Sequence, residues 1–203
     1  MKNNKPDYDG AIKHILERLE RDLSPDLFYH GVAHTLDVLE AVDLCAKLEG
    51  IDGDDLEILK TGAAYHDSGF LGQYHENEET GIKIAKENLP EFGFDYKKIS
   101  IISGIILATK IPQKPTNKLE ELMCDADLDN LGREDFYVKT ELLRLELSKQ
   151  GIYKSPKEWY AGTLKFLSNH NYFTNAAKSF RQIGKEKHIN EIKEILGIKW
   201  QIK

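Results

Sequence analysis

Apolar residues recur every three or four positions along most of this chain, and this spacing constrains the fold more than any other feature of the sequence. The first such segment, Tyr8 to Leu23, carries its apolar residues at helical spacing among Lys, Arg and Glu: Ile12, Ile15, Leu16 and Leu19. This pattern is typical of a helix with one buried face. No segment shows the strict alternation of apolar and polar residues expected of a half-buried strand. The sequence therefore predicts an all-α protein.

Turn-forming residues such as Ser24-Pro25, Gly50 and Pro90 divide the chain into nine predicted helices. These are Tyr8–Leu23, Gly31–Glu49, Leu56–Asp67, Glu78–Leu89, Lys97–Lys110, Leu119–Leu131, Phe136–Gln150, Pro156–His170 and Tyr172–Trp200. A chain of 203 residues is long enough to bury one sizeable core. We therefore expect a flexible tail over residues 1–7 and a single helical domain over residues 8–203.

Composition excludes several functional classes. The longest apolar run, Ile99 to Ala108, is interrupted by Ser and Gly and is too short to cross a bilayer. A net charge of -6 argues against binding to nucleic-acid polymers, which requires a dense basic surface. The only two cysteines, Cys45 and Cys124, form no Cys-x-x-Cys pattern, and no apolar secretory segment follows the N-terminus. These features predict a cytoplasmic protein with free thiols.

Three separate segments carry residues of the types that bind metal ions. His30 and His34 stand four positions apart at the start of a predicted helix, and His66-Asp67 ends another. A third segment carries a cluster of carboxylates: Asp125, Asp127 and Asp129. Neutral imidazoles together with carboxylate oxygens suit a divalent cation such as Mn, Fe, Mg, Zn, Ni or Co. One such ion is expected, and a second is left open.

The carboxylate cluster does not match a calcium-binding loop. Asn130 stands where that loop needs glycine, and Phe136 stands where it needs a terminal glutamate. On a helix, Asp125 and Asp129 share a face and Asp127 points nearly opposite, so the three cannot bind one ion together.

In their order and flanking sequence, His34, His66-Asp67 and Asp127 resemble the H…HD…D signature of the HD superfamily of metal-dependent phosphohydrolases. The resemblance runs at least from Tyr29 to Gly132. The segment from Tyr29 to Val38 is also similar to the opening motif of cyclic-nucleotide phosphodiesterases, although Gly31 replaces the Asn of that motif.

The resemblance implies a single HD-type helical bundle with a metal site between its central helices. It implies His34, His66, Asp67 and Asp127 as metal ligands, with Asp125 as the alternative to Asp127. It also implies His30 as the general acid and Asp67 as a catalytic ligand that bridges two ions where a second is present. Many two-metal relatives carry His three positions after the HD pair, where this chain has Phe70.

Cationic and imidazole side chains outside the signature are candidate substrate contacts: His75, Lys110, His170, Arg181 and Lys185. Each has a structural interpretation too. His75 could also replace the histidine missing at Phe70 as a ligand of a second metal ion, or it could be an exposed loop residue. Lys110 also fits a cation at the C-terminus of a helix. His170, Arg181 and Lys185 also fit turn and surface positions.

The predicted function is hydrolysis of a small phosphate ester by attack of metal-bound hydroxide, with a nucleotide or cyclic nucleotide as the favoured substrate. Three alternatives remain open at this stage. The first is a phosphomonoesterase or nucleotidase, the second is a non-catalytic module that senses nucleotides, and the third is di-iron oxygenase chemistry. The expected partners are small molecules, without nucleic-acid polymers or membranes, and the sequence leaves the oligomeric state open.

Overall fold

The computed structural model describes residues 5–198, and this part of the chain contains helices and no strands. The prediction of an all-α class is therefore confirmed. The described residues form nine α-helices: α1 (Tyr8–Asp22), α2 (Val32–Glu49), α3 (Gly53–Tyr65), α4 (Asn77–Asn88), α5 (Tyr96–Ala108), α6 (Lys118–Asp127), α7 (Phe136–Lys149), α8 (Pro156–Asn169) and α9 (Asn175–Ile195). Three short 3₁₀ helices lie between them, at Ser68–Leu71, Leu89–Phe92 and Asp129–Gly132.

Local side-chain chemistry sets the helix ends. Gly50 adopts a left-handed conformation with φ of 70° and ends α2, as its position in the sequence predicts. α8 begins with a capping box, in which the Ser155 hydroxyl accepts from the backbone N–H of Glu158 and the Glu158 carboxylate accepts from that of Ser155. The Asp7 carboxylate caps α1 by accepting from the backbone N–H of Gly10. Residues 1–4 of the predicted tail lie outside the described residues.

Three of the predicted helices differ from the observed ones by three or more residues at one end. The helix predicted over Leu56–Asp67 begins at Gly53 and ends at Tyr65. The helix predicted over Leu119–Leu131 stops at Asp127, because Leu128 leaves the helical region at φ -103° and ψ 20°. The last helix starts at Asn175, where the Thr174 hydroxyl accepts from the backbone N–H of Ala177. The predicted end of that helix, at Trp200, lies outside the described residues.

The main core surrounds α3, which packs against α1, α2, α5 and α6. Leu59, Ala63 and Tyr65 of α3 are fully buried there. A smaller apolar cluster joins the 3₁₀ segment Asp129–Gly132 to α7, α8 and α9 through Leu131, Phe136, Leu167 and Ile192. Both cysteines are buried and free. No helix within residues 5–198 has the length and hydrophobicity needed to span a lipid bilayer.

Close backbone packing between α9 and the segment Asp129–Gly132 leads to a testable prediction. A Cβ atom added at Gly184 would lie 2.1 Å from the backbone oxygen of Gly132, which cannot rotate away. We expect Gly184→Ala to lower the free energy of unfolding by about 1–3 kcal/mol or more through overpacking. Gly162→Ala is the matched control, since a Cβ there meets no atom within 4 Å. It should raise stability by up to about 1 kcal/mol through helix propensity.

Urea denaturation of the two variants measures this difference directly. Equal effects of both substitutions would show that α9 does not need a glycine at this contact.

Candidate metal centre

Three helices bring the residues of the predicted signature together. His34 lies in the first turn of α2, His66 and Asp67 directly follow α3, and Asp127 is the last residue of α6. His34 and Asp67 are buried, and His66 is completely so. α3 ends at Tyr65, and Asp67 adopts φ -98° and ψ 8°, outside the geometry of a continuing helix. This change of direction lets two consecutive side chains face the same point.

The imidazole nitrogens and carboxylate oxygens of these residues converge. His34 Nε2 lies 3.2 Å from Asp127 Oδ1 and 3.5 Å from Asp67 Oδ2. His66 Nε2 lies 3.1 Å from Asp67 Oδ2 and 3.5 Å from Asp127 Oδ1. The ligand atoms of His34, His66 and Asp127 all lie within 4.8 Å of one another, as a shared metal ion requires.

The hydrogen bonding of this cluster fits a cation. His66 Nδ1 lies 2.7 Å from the carbonyl oxygen of Ala63, so Nδ1 donates a proton to that oxygen and Nε2 is the ring nitrogen that faces the cluster. His66 Nε2 and Asp67 Oδ2 are both buried, and although they lie 3.1 Å apart as an ion pair, neither forms a hydrogen bond of acceptable geometry. Buried polar atoms seldom lack a hydrogen bond. A divalent ion would satisfy both atoms, and two imidazoles with two carboxylates are ligands that such ions accept.

The electrostatics of the cluster favour charged side chains. Burial alone lowers the pKa of His66, but the neighbouring Asp67 and Asp127 charges raise it well above its ordinary value. Burial alone raises the pKa of Asp67 and of Asp127, but the imidazoles beside them hold both pKa values below the ordinary range. The carboxylates are therefore ionised and ready to act as ligands.

Asp125, the alternative ligand, points away from this cluster. Its carboxylate accepts hydrogen bonds from the backbone N–H groups of Phe173 and Thr174 and from the Thr174 hydroxyl, at 2.7–2.8 Å. Asp125 therefore fixes the turn before α9, and the geometry favours Asp127 as the ligand from α6.

His30 has a buried partner that the sequence did not indicate. Its Nδ1 binds the carboxylate of Glu146, which is fully buried on α7. Glu146 also accepts from the backbone N–H groups of Tyr29 and His30, at 2.8 and 3.0 Å, and from the Tyr74 hydroxyl at 2.9 Å. Burial alone lowers the pKa of His30, but the bond to Glu146 and the charge of Asp67 raise it above its ordinary value.

Phe70 stands three positions after Asp67, where the sequence carries no further His. Its ring stacks on His30 with 4.5 Å between ring centroids. Within residues 5–198, the group of His34, His66 and Asp127 is the one set of three or more His, Cys, Asp or Glu side chains with metal-binding geometry. Phe70 thus packs against the imidazole of His30 and supplies no ligand atom.

A cavity of about 380 Å³ adjoins the metal centre. His30, Asp67 and Asp127 line it together with residues of α7 and α8. We call its carbon-rich side the apolar wall, which consists of Leu128, Leu131, Phe136, Leu143, Trp159 and Phe166. The wall belongs to the region of the smaller apolar cluster, so α7 and α8 connect that cluster to the site.

The structure does not bring the predicted substrate contacts to this cavity, which none of them lines. The Lys110 ammonium pairs with Glu79, and the ring of His75 packs against Tyr74. Arg181 is held by both carboxylate oxygens of Asp129, at 2.6 and 2.9 Å.

His170 and Lys185 lie together at a second cavity that adjoins the first. His170 lines this cavity of about 300 Å³, which shares Leu128 and Phe166 with the first, and the Lys185 ammonium donates to the His170 carbonyl oxygen at 2.6 Å. Burial, followed by the charge of Lys185, lowers the pKa of His170 to about 4. The imidazole is therefore neutral at physiological pH.

Comparisons with known proteins identify the fold. The sequence matches no protein-family model and no curated protein sequence. The structure is similar to a crystal structure, at 1.45 Å resolution, of a predicted HD superfamily hydrolase from an uncultured Thermotogales bacterium. The two share 17% sequence identity and a TM-score of 0.62, over 95% of this chain and 92% of that one. The chain therefore has an HD-type helical fold, with a candidate metal centre of histidines and aspartates between its central helices.

Proposed function

We propose that this protein is a metal-dependent phosphohydrolase that hydrolyses a small phosphate ester. The observation that carries the proposal is the convergence of His34, His66 and Asp127 around the buried atoms His66 Nε2 and Asp67 Oδ2, which lack hydrogen bonds. The fold supports it, because a protein of the same fold is described as a predicted HD superfamily hydrolase.

In this proposal His34, His66, Asp67 and Asp127 hold a divalent ion, with Mn, Fe, Mg, Zn, Ni and Co as candidates. When bound, such an ion polarises phosphoryl oxygens and lowers the pKa of water. The bond from His66 Nδ1 to the Ala63 carbonyl keeps the imidazole in the tautomer and orientation that a ligand needs. Burial of the cluster keeps these charges effective, because few water molecules screen them.

His30 acts as the general acid that protonates the leaving oxygen. It lines the cavity, and its Nδ1 is engaged by Glu146, so Nε2 is the ring nitrogen left for the substrate. Glu146 holds the imidazole in place and favours its protonated form, as a proton donor near neutral pH requires. Glu146 is therefore a positioning residue, acting through His30.

The finer assignments stay predictions. A nucleotide or cyclic nucleotide, a phosphodiester rather than a monoester, and a cytoplasmic location rest on the sequence alone. A nucleotide-sensing module without turnover is the competing class, and it predicts tight binding with no hydrolysis in any metal.

The first experiment measures hydrolysis of bis(p-nitrophenyl) phosphate and p-nitrophenyl phosphate by protein loaded with Mn²⁺. We expect p-nitrophenol release from at least one substrate, loss of activity after chelation and dialysis, and recovery with added Mn²⁺. Asp67→Ala, prepared in parallel, controls for contaminating phosphatases. Full activity in that variant, or in the metal-free protein, would rule the site assignment out.

A further inference from the structure

The apolar wall gives the cavity a hydrocarbon surface that α7, α8 and the segment after α6 supply. Phe136 of the apolar wall is fully buried, and Trp159 is 8% exposed. α8 carries Trp159 and is fixed at its N-terminus by the capping box and Pro156. Aromatic side chains held on a capped helix form a preorganised surface, which is how apolar ligand pockets are commonly built.

The cavity provides little positive charge. Among residues 5–198, Lys139 and Lys154 are the only cationic Lys or Arg side chains that line it. Lys139 is bound by Asp37 at 2.5 Å, and Lys154 lies over the Trp159 ring at 5.6 Å. The carboxylates of Asp67, Glu78 and Asp127 also line the cavity. One metal ion, two lysines and a protonated His30 can match a single phosphate group, but a triphosphate would lack partners for its remaining charges.

Hydrogen-bonding side chains also line the cavity, among them Asn130, Thr140 and Thr163, but the six residues of the apolar wall carry one polar side-chain atom between them. That atom is Trp159 Nε1, which is buried and has no hydrogen-bond partner in the described part of the chain. A sugar would present several hydroxyl groups to this surface, and each hydroxyl buried without a partner would weaken binding. A hydrocarbon group gains from the same contact, because it leaves water without losing hydrogen bonds.

We propose that the substrate carries one phosphate group on a hydrocarbon-rich organic group, aryl or branched alkyl, that packs against the apolar wall. This inference rests on the proposed function and specifies its substrate class.

A series of phosphonates tests the proposal, because their carbon–phosphorus bond resists hydrolysis. Methylphosphonate, butylphosphonate and phenylphosphonate are titrated into Mn²⁺-loaded protein and their affinities measured by calorimetry. Burial of a phenyl ring predicts that phenylphosphonate binds about 10-fold or more tightly than methylphosphonate. Butylphosphonate should lie between them. Inorganic pyrophosphate and a nucleoside monophosphate represent the competing substrate classes, and their affinities are measured in the same way.

Gly162→Leu provides a variant that fills the cavity. Gly162 lines the cavity, and a Cβ atom there meets nothing within 4 Å, so a leucine has room to enter. Leucine also favours the helix over glycine, which protects folding. We expect the variant to bind phenylphosphonate about 10-fold more weakly, by removing the same apolar contact, and to bind methylphosphonate unchanged. Ala161→Leu adds the same side chain one position away, outside the cavity lining, and should bind both ligands as the wild type does.

Equal affinities across the phosphonate series would overturn the proposal, as would tighter binding of pyrophosphate or the nucleoside monophosphate. Hydrolysis of the two p-nitrophenyl esters distinguishes failure of this substrate class from failure of the proposed function. Hydrolysis without selectivity for hydrocarbon groups would reject the substrate class alone. Selective phosphonate binding without hydrolysis of any ester would reject the phosphohydrolase and keep the apolar wall as the ligand-binding surface.

Discussion

Replacing Asp127 by Asn is expected to remove tightly bound metal and to slow hydrolysis on the order of 10³-fold, since a catalytic ion contributes several kcal/mol of transition-state stabilisation. Asp127 Oδ1 faces both His34 Nε2 and His66 Nε2, at 3.2 and 3.5 Å. An amide in its place keeps the size of the side chain and removes the charge that a divalent ion needs. Metal content by mass spectrometry and the rate of ester hydrolysis check this result.

Asp125→Asn is the matched control, two positions earlier on the same helix, and it should give the opposite pattern. The variant is expected to keep metal and activity, because Asp125 does not face the metal centre. It should lose stability, by about 1–3 kcal/mol for each donor left unpaired at Phe173 and Thr174. Thermal denaturation measures this loss. Metal loss in the Asp125 variant with retention in the Asp127 variant would reverse the ligand assignment.

The helices were predictable because their signal is local. Each one buries an apolar stripe, and the spacing of that stripe is visible in any window of the sequence. Ends marked by a special backbone conformation were predictable too, as Gly50 shows. The end of α6 was not, because Leu128 has no unusual propensity, and its departure from the helix depends on tertiary packing.

The grouping of the candidate ligands was predictable for a different reason. The order and context of His34, His66-Asp67 and Asp127 resemble a known signature, and the structure brings these residues together. Glu146 had no such signal. It lies 116 positions after His30 in a helix with many polar residues, where glutamate is usually exposed. Only the contact of α7 with Tyr29 and His30, which precede α2, makes it a buried partner of the imidazole.

The predicted substrate contacts show that residue type alone does not identify the side chains that line the cavity. Arg181 and Lys110 have the charge to bind phosphate, but Asp129 and Glu79 already pair with them. Conversely, Trp159 and Phe136 resemble ordinary core residues in the sequence, and the fold places them along the cavity. Tertiary structure decides which charged side chains lack a partner and which apolar side chains reach the cavity. The spacing of residues in the sequence therefore could not predict either property.

Glu146→Gln is the second substitution with a large expected effect, a decrease in hydrolysis of about 10²-fold at neutral to mildly alkaline pH through impaired general acid catalysis. Glu146 uses one carboxylate oxygen for the backbone N–H groups of Tyr29 and His30, and the other for His30 Nδ1 and the Tyr74 hydroxyl. Glutamine can keep the first set of bonds with its carbonyl oxygen. Its NH₂ group then faces Nδ1 and donates to it, which favours a neutral imidazole at His30.

The sign of the pH effect distinguishes this role from a purely structural one. A general acid must be protonated, so activity falls as the pH rises through the pKa of His30. Burial lowers that pKa and Glu146 raises it above the ordinary value. Without the Glu146 carboxylate, less opposes the effect of burial and the pKa of His30 falls, so the alkaline limb of the pH–rate profile should move to lower pH at unchanged metal content. Tyr74→Phe removes a hydrogen bond to the same Glu146 oxygen and keeps the Glu146 charge. The alkaline limb of the pH–rate profile of this variant should therefore stay in place. A parallel loss of rate at every pH in the Gln variant would mean that Glu146 supports the fold and does not act through His30.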